Sequence, residues 1–330
     1  MKKILSILSA CLCLLCLNCT GDTLAEYIQG AINNERIVND QRFYKKEDIA
    51  GRVKTITGLQ SNQLNQIDLI VNQPKKYALC VGIDNYSGTS IDLPGSVHGA
   101  KRFQFALKRY GYEVQVLTNE SATKKGFITS FSNMLSRAKM GDVCILTFDG
   151  HGSYRLDVNR DELINNTGDD KDEVILMYHP TLPYEHLVDD ELHSMIKLWL
   201  KPQVQLIIFM ASCYSGTMDR NITPRAIAPI VYQDEPYIFI SATPPDALGY
   251  QRKRSTYVRH WEIEMPYNMF GWYMSDLSFH ATQIYIDAFD KGWELSVTNF
   301  YNRMATKCPG PPVLHVSSNN VNFIMTPLRK

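Results

Sequence analysis

The stretch that decides the fold is VCILTFDGHG, residues 143–152. Its first six residues are almost all apolar, which is typical of a strand buried on both faces of a sheet. The run ends at Asp149, and a histidine between two glycines follows. A second stretch, QLIIFMASCYSG at 205–216, repeats the pattern with a cysteine in the polar part. We therefore expect two buried strands, each followed by a loop that carries one reactive side chain.

Buried strands alternate with amphipathic helices along the chain from Lys76 onward. The apolar run 77–83 predicts the first strand, and the helical spacing of apolar residues over 97–110 predicts the helix after it. Thr123 is predicted to cap a second helix. Further strands are expected at 114–117, 143–148, 174–178, 206–210 and 237–241, a polar loop at 157–173 and a helix near 190–200. This alternation predicts an α/β fold with a mostly parallel sheet and helices on both faces.

The two polar loops are expected to meet, because parallel strands bring their carboxyl ends to one edge of the sheet. Cys213 is then the candidate nucleophile and His151 its acid and base partner. A free thiol has a pKa of about 8.5, so a neighbouring imidazole increases its thiolate fraction. The backbone amides of Gly152 and Cys213 are the candidate oxyanion hole. Taken singly, a cysteine at a strand end is more often a core residue, and a histidine in a glycine loop is usually incidental.

Several short motifs occur in a fixed order between residues 76 and 328. They are ALCVGIDNY (78–86), LPG (93–95), AT (122–123), GDV (141–143), GHG (150–152), VDDEL (188–192), SCYSG (212–216) and ISA (240–242). This order resembles the metacaspase branch of the caspase-like cysteine peptidases. The resemblance implies a three-layer caspase-like sandwich, a protein or peptide substrate, and hydrolysis of peptide bonds through a Cys213 and His151 dyad and an acyl-enzyme.

The same resemblance implies a calcium site. Some metacaspases need calcium, and the residues here that match its acidic ligands are Asp172, Asp189, Asp190 and Asp219. Carboxylate oxygens are suitable calcium ligands. Read singly, Asp189 is also a helix cap and Asp172 part of a solvated acidic loop. No cofactor is expected for the chemistry itself.

The residue preference at the cleaved bond stays open. Metacaspases typically cut after Arg or Lys by means of two acidic pocket residues, but the matching positions here are Gly99 and Ala211. A substrate cation would then be buried without a counter-charge. The segment 243–252 resembles the caspase segment that contributes an arginine to a pocket for acidic residues, which makes Arg252 a candidate pocket residue. Its basic neighbours at 253–254 also suit a solvated loop or a cleavage site.

Other titratable residues are expected to be structural. His179, His186 and His193 lack the compact spacing of zinc ligands. Asp149 precedes His151 by only two residues on a strand end, and caspase-like enzymes work with a dyad. We therefore assign neither a zinc site nor a third catalytic side chain.

The N-terminal residues predict export. Two lysines precede the apolar run 4–17, which is too short to span a bilayer stably, so residues 1–19 are predicted to be a signal peptide or lipoprotein signal. Cys19 is the candidate lipidation site, although the residues before Cys11 fit the required pattern better. The polar residues 20–75 are predicted to be a pro-region, which makes the protein a precursor. The expected location is periplasmic, secreted or lipid-anchored to a bacterial membrane.

Composition narrows the function classes further. Lys plus Arg and Asp plus Glu both total 34, so the net charge is zero and no nucleic-acid partner is expected. Membrane contact is expected only through an N-terminal lipid anchor. A catalytic domain over 76–330 is the leading interpretation, and the oligomeric state stays open. The alternatives are a catalytically inactive caspase-like scaffold and a transpeptidase that uses the same dyad.

Overall fold

A computed structural model gives the structure of most of the chain after residue 73. It describes residues 74–86, 91–156, 171–218, 230–232, 237–243, 248–249, 251–254, 272–308, 312–317 and 320–327. All elements below belong to the unit Lys75–Lys330. The predicted signal at 1–19 lies outside the described residues. So does the predicted pro-region at 20–75, apart from its last two residues.

Seven strands, numbered in chain order, form the central sheet of the described part. They are β1 (Lys76–Gly82), β2 (Glu113–Thr118), β3 (Val143–Asp149), β7 (Gln205–Ala211), β8 (Ile230–Tyr232), β9 (Tyr237–Ser241) and β12 (Val313–Ser317). Their order is β2-β1-β3-β7-β9-β12-β8. Every neighbouring pair is parallel except β9 with β12. The predicted α/β fold with a mostly parallel sheet is confirmed.

The described residues also form two smaller antiparallel sheets. The first joins β4 (Gly152–Leu156), β5 (Lys171–Met177) and β6 (Glu185–Val188), and the second joins β10 (Gln251–Arg254) to β11 (Trp272–Ser275). The predicted polar loop at 157–173 is wrong for its last three residues, which begin β5. Asp172 and Glu173 are buried in that strand. Because a charged side chain can be paired across a ladder, its charge alone does not indicate a solvated loop.

Helices cover both faces of the central sheet. They are α1 (Ser96–Arg109), α2 (Lys124–Arg137), α3 (Asp189–Trp199), α4 (Asp276–Lys291) and α5 (Val297–Ala305). Residues of α2 and α3 share one buried cluster with the sheet, and those of α1, α4 and α5 share the other. Thr123 caps α2 as predicted, since its Oγ1 accepts a hydrogen bond from the amide of Gly126 at 3.0 Å. Helices α4 and α5 were not predicted. Within the described ranges, no helix is both long and apolar enough to cross a bilayer.

Phe209 of β7 tests how far the core stabilises this fold. Its ring centroid lies 5.1 Å from that of Phe103, 6.3 Å from that of Tyr285 and 6.0 Å from that of Phe300. We expect Phe209→Ala to lower the free energy of unfolding in urea by about 3–5 kcal/mol, because a cavity replaces those contacts. Leu198→Ala, at an exposed position of α3, is the control and should change it by about 0.5 kcal/mol or less. Equal losses in both variants would contradict this account of the core.

Candidate active site

The register of β3 and β7 brings the two reactive loops to the same edge of the sheet. Asp149, the last residue of β3, lies opposite Ala211, the last residue of β7. His151 and Cys213 each follow two residues later, so both loops start from paired positions. The amide of Gly150 donates to the carbonyl of Ala211 at 3.3 Å and extends the pairing past the strand ends.

The backbone beside His151 touches the backbone of the cysteine loop. A methyl group built on Gly152 would lie 2.1 Å from the carbonyl oxygen of Cys213 and 3.0 Å from Cβ of Ser212. Only a glycine fits this approach without moving one of the two segments. The structure therefore brings together the two residues whose amides were predicted to form the oxyanion hole.

Two residues of the loop after β1 contact His151, one at its imidazole and one at its backbone amide. Its Nε2 lies 2.6 Å from the carbonyl oxygen of Ile91. A carbonyl oxygen only accepts hydrogen bonds, so we assign the proton to Nε2, which leaves Nδ1 as the basic nitrogen. Tyr86 accepts a hydrogen bond from the His151 amide at 2.9 Å, and the two ring centroids are 5.1 Å apart. Burial raises the pKa of the Tyr86 phenol above its usual value, so this group stays neutral.

The sulfur of Cys213 is half-buried at a tight turn. The amide of Gly249 donates to Sγ at 3.2 Å, and the carbonyl oxygen of the same glycine lies 3.7 Å away. Ser215 donates from Oγ to the carbonyl of Ser212 at 2.8 Å and so holds the turn. Tyr214 has a positive φ of 52°, which a non-glycine residue adopts only where its surroundings enforce it.

No hydrogen bond joins the thiol of Cys213 to the imidazole of His151, both of which lie within the described residues. Catalytic hydrogen bonds are often long in a site without substrate and shorten when substrate binds. The backbones of the two loops are nevertheless in contact, because a methyl group built on Gly152 would lie 2.1 Å from the carbonyl oxygen of Cys213.

The carboxyl of Asp149 is buried behind these loops. Its Oδ2 accepts a hydrogen bond at 3.0 Å from Oγ of Ser275, the residue that caps helix α4. Burial raises the pKa of Asp149 from 3.8 to about 7, although hydrogen bonds from Ser278, Ser275 and Ser96 act in the opposite direction. A group so placed is protonated in part at neutral pH.

Two of the three predicted pocket positions, Gly99 and Ala211, lie beside Asp149. A methyl group built on Gly99 would lie 2.2 Å from Oδ2 of Asp149, and Ala211 is the strand partner of Asp149. Sequence reasoning missed this neighbourhood, and the only signal for it was an aspartate at the end of an apolar strand. Arg252 lies in β10 with Met274 of β11 as its strand partner, and its side chain lies outside the described part.

The predicted calcium ligands are only partly brought together. Asp172 accepts a hydrogen bond from Nε of Arg155 at 2.8 Å, and the two residues lie opposite one another in the β4–β5 ladder. Asp189 and Asp190 begin α3, and Asp219 lies outside the described residues. Among the side chains that the structure describes, no three metal-binding groups cluster. Asp219, the fourth predicted ligand, is not among these side chains, so calcium binding stays a prediction.

Two protein cations, Arg155 and Lys124, also act on His186 of the neighbouring strand β6. Burial lowers the pKa of His186 on the neighbouring strand β6, and the charges of Arg155 and Lys124 lower it further. Lys124 is itself paired with Glu191 at 2.7 Å. Glu191 in the first turn of α3 and Asp172 of β5 are therefore each paired with a protein cation.

Comparison with known proteins shows which family part of this chain is similar to. The family model described as "Metacaspase, peptidase C14 domain" matches residues 76–220. Metacaspase-1 of Kluyveromyces lactis is 30% identical over 154 residues, which are 44% of this chain and 34% of that protein. Metacaspase-1 of Cryptococcus neoformans is 32% identical over 156 residues, 43% of this chain and 32% of that protein. The chain thus spans about a third of the length of these curated relatives.

A solved structure supports the fold. A protein of Geobacter sulfurreducens is 16% identical and matches with a TM-score of 0.53, over 78% of this chain and 100% of its own. At that identity the likeness concerns the architecture only. This likeness agrees with the mostly parallel α/β architecture of the chain.

The buried carboxyl of Asp149 makes a testable contribution to stability. Its folded-state pKa of about 7 exceeds that of an unfolded carboxyl, so the folded state binds this proton more tightly. For this group, the free energy of unfolding therefore falls as the pH rises from about 4 to about 7. Asp149→Asn removes the titration. From about pH 4 to about pH 7, we expect the free energy of unfolding in urea to fall less for this variant than for the unmodified protein. An equal fall in both proteins would contradict the assignment.

Proposed function

We propose that this chain, whose residues 76–220 match the metacaspase peptidase C14 model, is a cysteine endopeptidase. The family match supports a cysteine peptidase. The finer proposal is that Cys213 is the nucleophile and that His151 is its acid and base. The observation that carries it is the register of β3 and β7, from which both loops leave at paired positions.

In the proposed reaction, the thiol proton of Cys213 passes to Nδ1 of His151. The sulfur then attacks the carbonyl carbon of the substrate, and an S–C bond forms. The imidazolium gives its proton to the leaving amine as the C–N bond breaks. A water molecule next loses a proton to Nδ1 and attacks the thioester. The S–C bond breaks, the substrate acid leaves, and the thiol is restored.

Three groups support these steps. The Ile91 carbonyl keeps the proton on Nε2 of His151, so that Nδ1 is free to accept the thiol proton. Tyr86 holds the backbone of His151 through its phenol oxygen. The amides of Gly152 and Cys213 are proposed to donate to the substrate oxygen as negative charge develops there. None of these roles needs a metal or cofactor.

A peptide library tests the proposal. We expect full-length protein to cleave a diverse set of peptides, and Cys213→Ala and His151→Ala to lower the rate at least about 10³-fold each, because either change removes the dyad. Products are read by mass spectrometry, with and without calcium, and also after removal of residues 1–75. Leu198→Ala is the control for handling and stability. Absence of any Cys213-dependent product under all these conditions would contradict a peptidase and leave the scaffold.

The same experiment separates the remaining alternatives. Products that carry an added amine acceptor instead of water would identify a transpeptidase. Cleavage after basic residues that weakens in Asp149→Asn would attribute the preference to the carboxyl beside Gly99 and Ala211. Cleavage after acidic residues that weakens in Arg252→Gln would attribute it to β10. A calcium-dependent rate would support the predicted ligand set.

We further propose that the protein is exported as a precursor, on the basis of its N-terminal sequence alone. If Cys19 is the anchor, radiolabelled palmitate should be incorporated into the protein in a bacterial host and be lost in Cys19→Ser. Cys11→Ser is the matched control, because it is the alternative lipidation site. Loss in Cys11→Ser instead would move the anchor, and no incorporation in either variant or in the unmodified protein would exclude lipidation.

A further inference from the structure

Gly249 places both polar atoms of its backbone next to the sulfur of Cys213. Its amide nitrogen lies 3.2 Å from Sγ and its carbonyl oxygen 3.7 Å from the same atom. The glycine is 36 residues further along the chain and follows strand β9. It has no side chain that could take part in chemistry, so this contact is made by the backbone alone.

The two backbone atoms favour different protonation states of the sulfur. An amide N–H only donates, and a hydrogen bond to a charged acceptor is roughly twice as strong as one to a neutral acceptor. The N–H therefore stabilises the thiolate relative to the thiol. The carbonyl oxygen accepts only from the protonated thiol, and S–H is a weak donor. Since the N–H contact is also the shorter one, the balance favours the thiolate.

We propose that the backbone amide of Gly249 is a further catalytic group of this site, which stabilises the sulfur of Cys213 as a thiolate before substrate arrives. The inference rests on the proposed function, in which Cys213 is the nucleophile. When the thiol proton moves to His151, the Gly249 N–H donates to the negative sulfur. When the S–C bond forms, that charge is lost and the hydrogen bond weakens.

This role differs from that of the oxyanion amides. The amides of Gly152 and Cys213 are proposed to stabilise charge on the substrate oxygen, which develops only after attack. The amide of Gly249 acts on the sulfur, whose charge exists before attack. Its effect is therefore measurable without substrate, as the rate at which Cys213 reacts with a small alkylating reagent.

The surroundings of Gly249 allow a matched set of variants. A methyl group built on it would lie 3.4 Å from the carbonyl oxygen of Ser212 and 3.5 Å from Cγ2 of Thr243, which are ordinary contacts. Gly249→Ala therefore keeps both the N–H and the local packing. Gly249→Pro removes the N–H. Replacement of the Leu248–Gly249 peptide bond by an ester removes it too, without adding a ring or restricting the backbone.

The experiment measures alkylation of Cys213 by iodoacetamide in the full-length protein, from about pH 5 to about pH 10. Peptide mapping by mass spectrometry separates Cys213 from the other cysteines. Leu198→Ala, at an exposed position of α3, is the control and should react like the unmodified protein, while Gly249→Ala reports what an added methyl group alone does at this position. The ester variant should react about ten-fold more slowly near neutral pH, because a hydrogen bond to a charged atom is lost. The difference should shrink toward the alkaline end, above the pKa of about 8.5 of an ordinary free thiol.

Each result has one meaning. Equal alkylation of the ester variant and the unmodified protein at every pH overturns the role of the amide, while Cys213-dependent peptide cleavage would still support the peptidase. If the unmodified protein cleaves no peptide and its Cys213 reacts no faster than a free cysteine, the proposed function fails. If Gly249→Pro reacts slowly even at alkaline pH, the proline has displaced the loop. The ester variant alone then tests the role of the amide.

Discussion

The hydrogen-bonded register between β3 and β7 is the constraint on which the site depends. Both strands are buried on their two faces, and alternate residues enter opposite cores: Phe148 and Met210 lie in the cluster of α2 and α3, and Phe209 in that of α1, α4 and α5. A slip of one residue in the pairing would turn the side chains of one strand to the opposite face of the sheet and so into the other core. Packing therefore fixes the pairing of Asp149 with Ala211, and this pairing places the two reactive loops side by side.

Close contacts at two glycines also fix the positions of the loops and of helix α1 around the site. At Gly152 the loop of the histidine touches the carbonyl of Cys213, and at Gly99 helix α1 touches the carboxyl of Asp149. At both positions a side chain would need the space that another group already fills. The absence of side chains at 99 and 152 is thus a packing requirement of this chain, whatever substrate it binds.

Buried carboxyls show how charge is managed around the site. Asp149 receives a hydroxyl hydrogen bond from Ser275, and Asp172 an ionic hydrogen bond from Arg155. A buried carboxylate without such partners would be strongly destabilising. The two solutions differ in consequence: burial raises the pKa of Asp149 despite its hydroxyl partners, whereas Asp172 already has a protein cation where the family resemblance suggests a metal.

The sequence by itself determined the alternation of buried strands and helices, the cap at Thr123, and the position of His151 and Cys213 just after two buried strands. These features are local, because the apolar character of consecutive residues reports directly whether a strand is buried. Only the tertiary structure decided that β12 returns antiparallel beside β9, that Arg155 meets Asp172, and that Gly249 reaches the sulfur of Cys213. Such contacts join segments that are not adjacent along the chain. They depend on the path of the whole backbone and on how both cores pack, which no local pattern records.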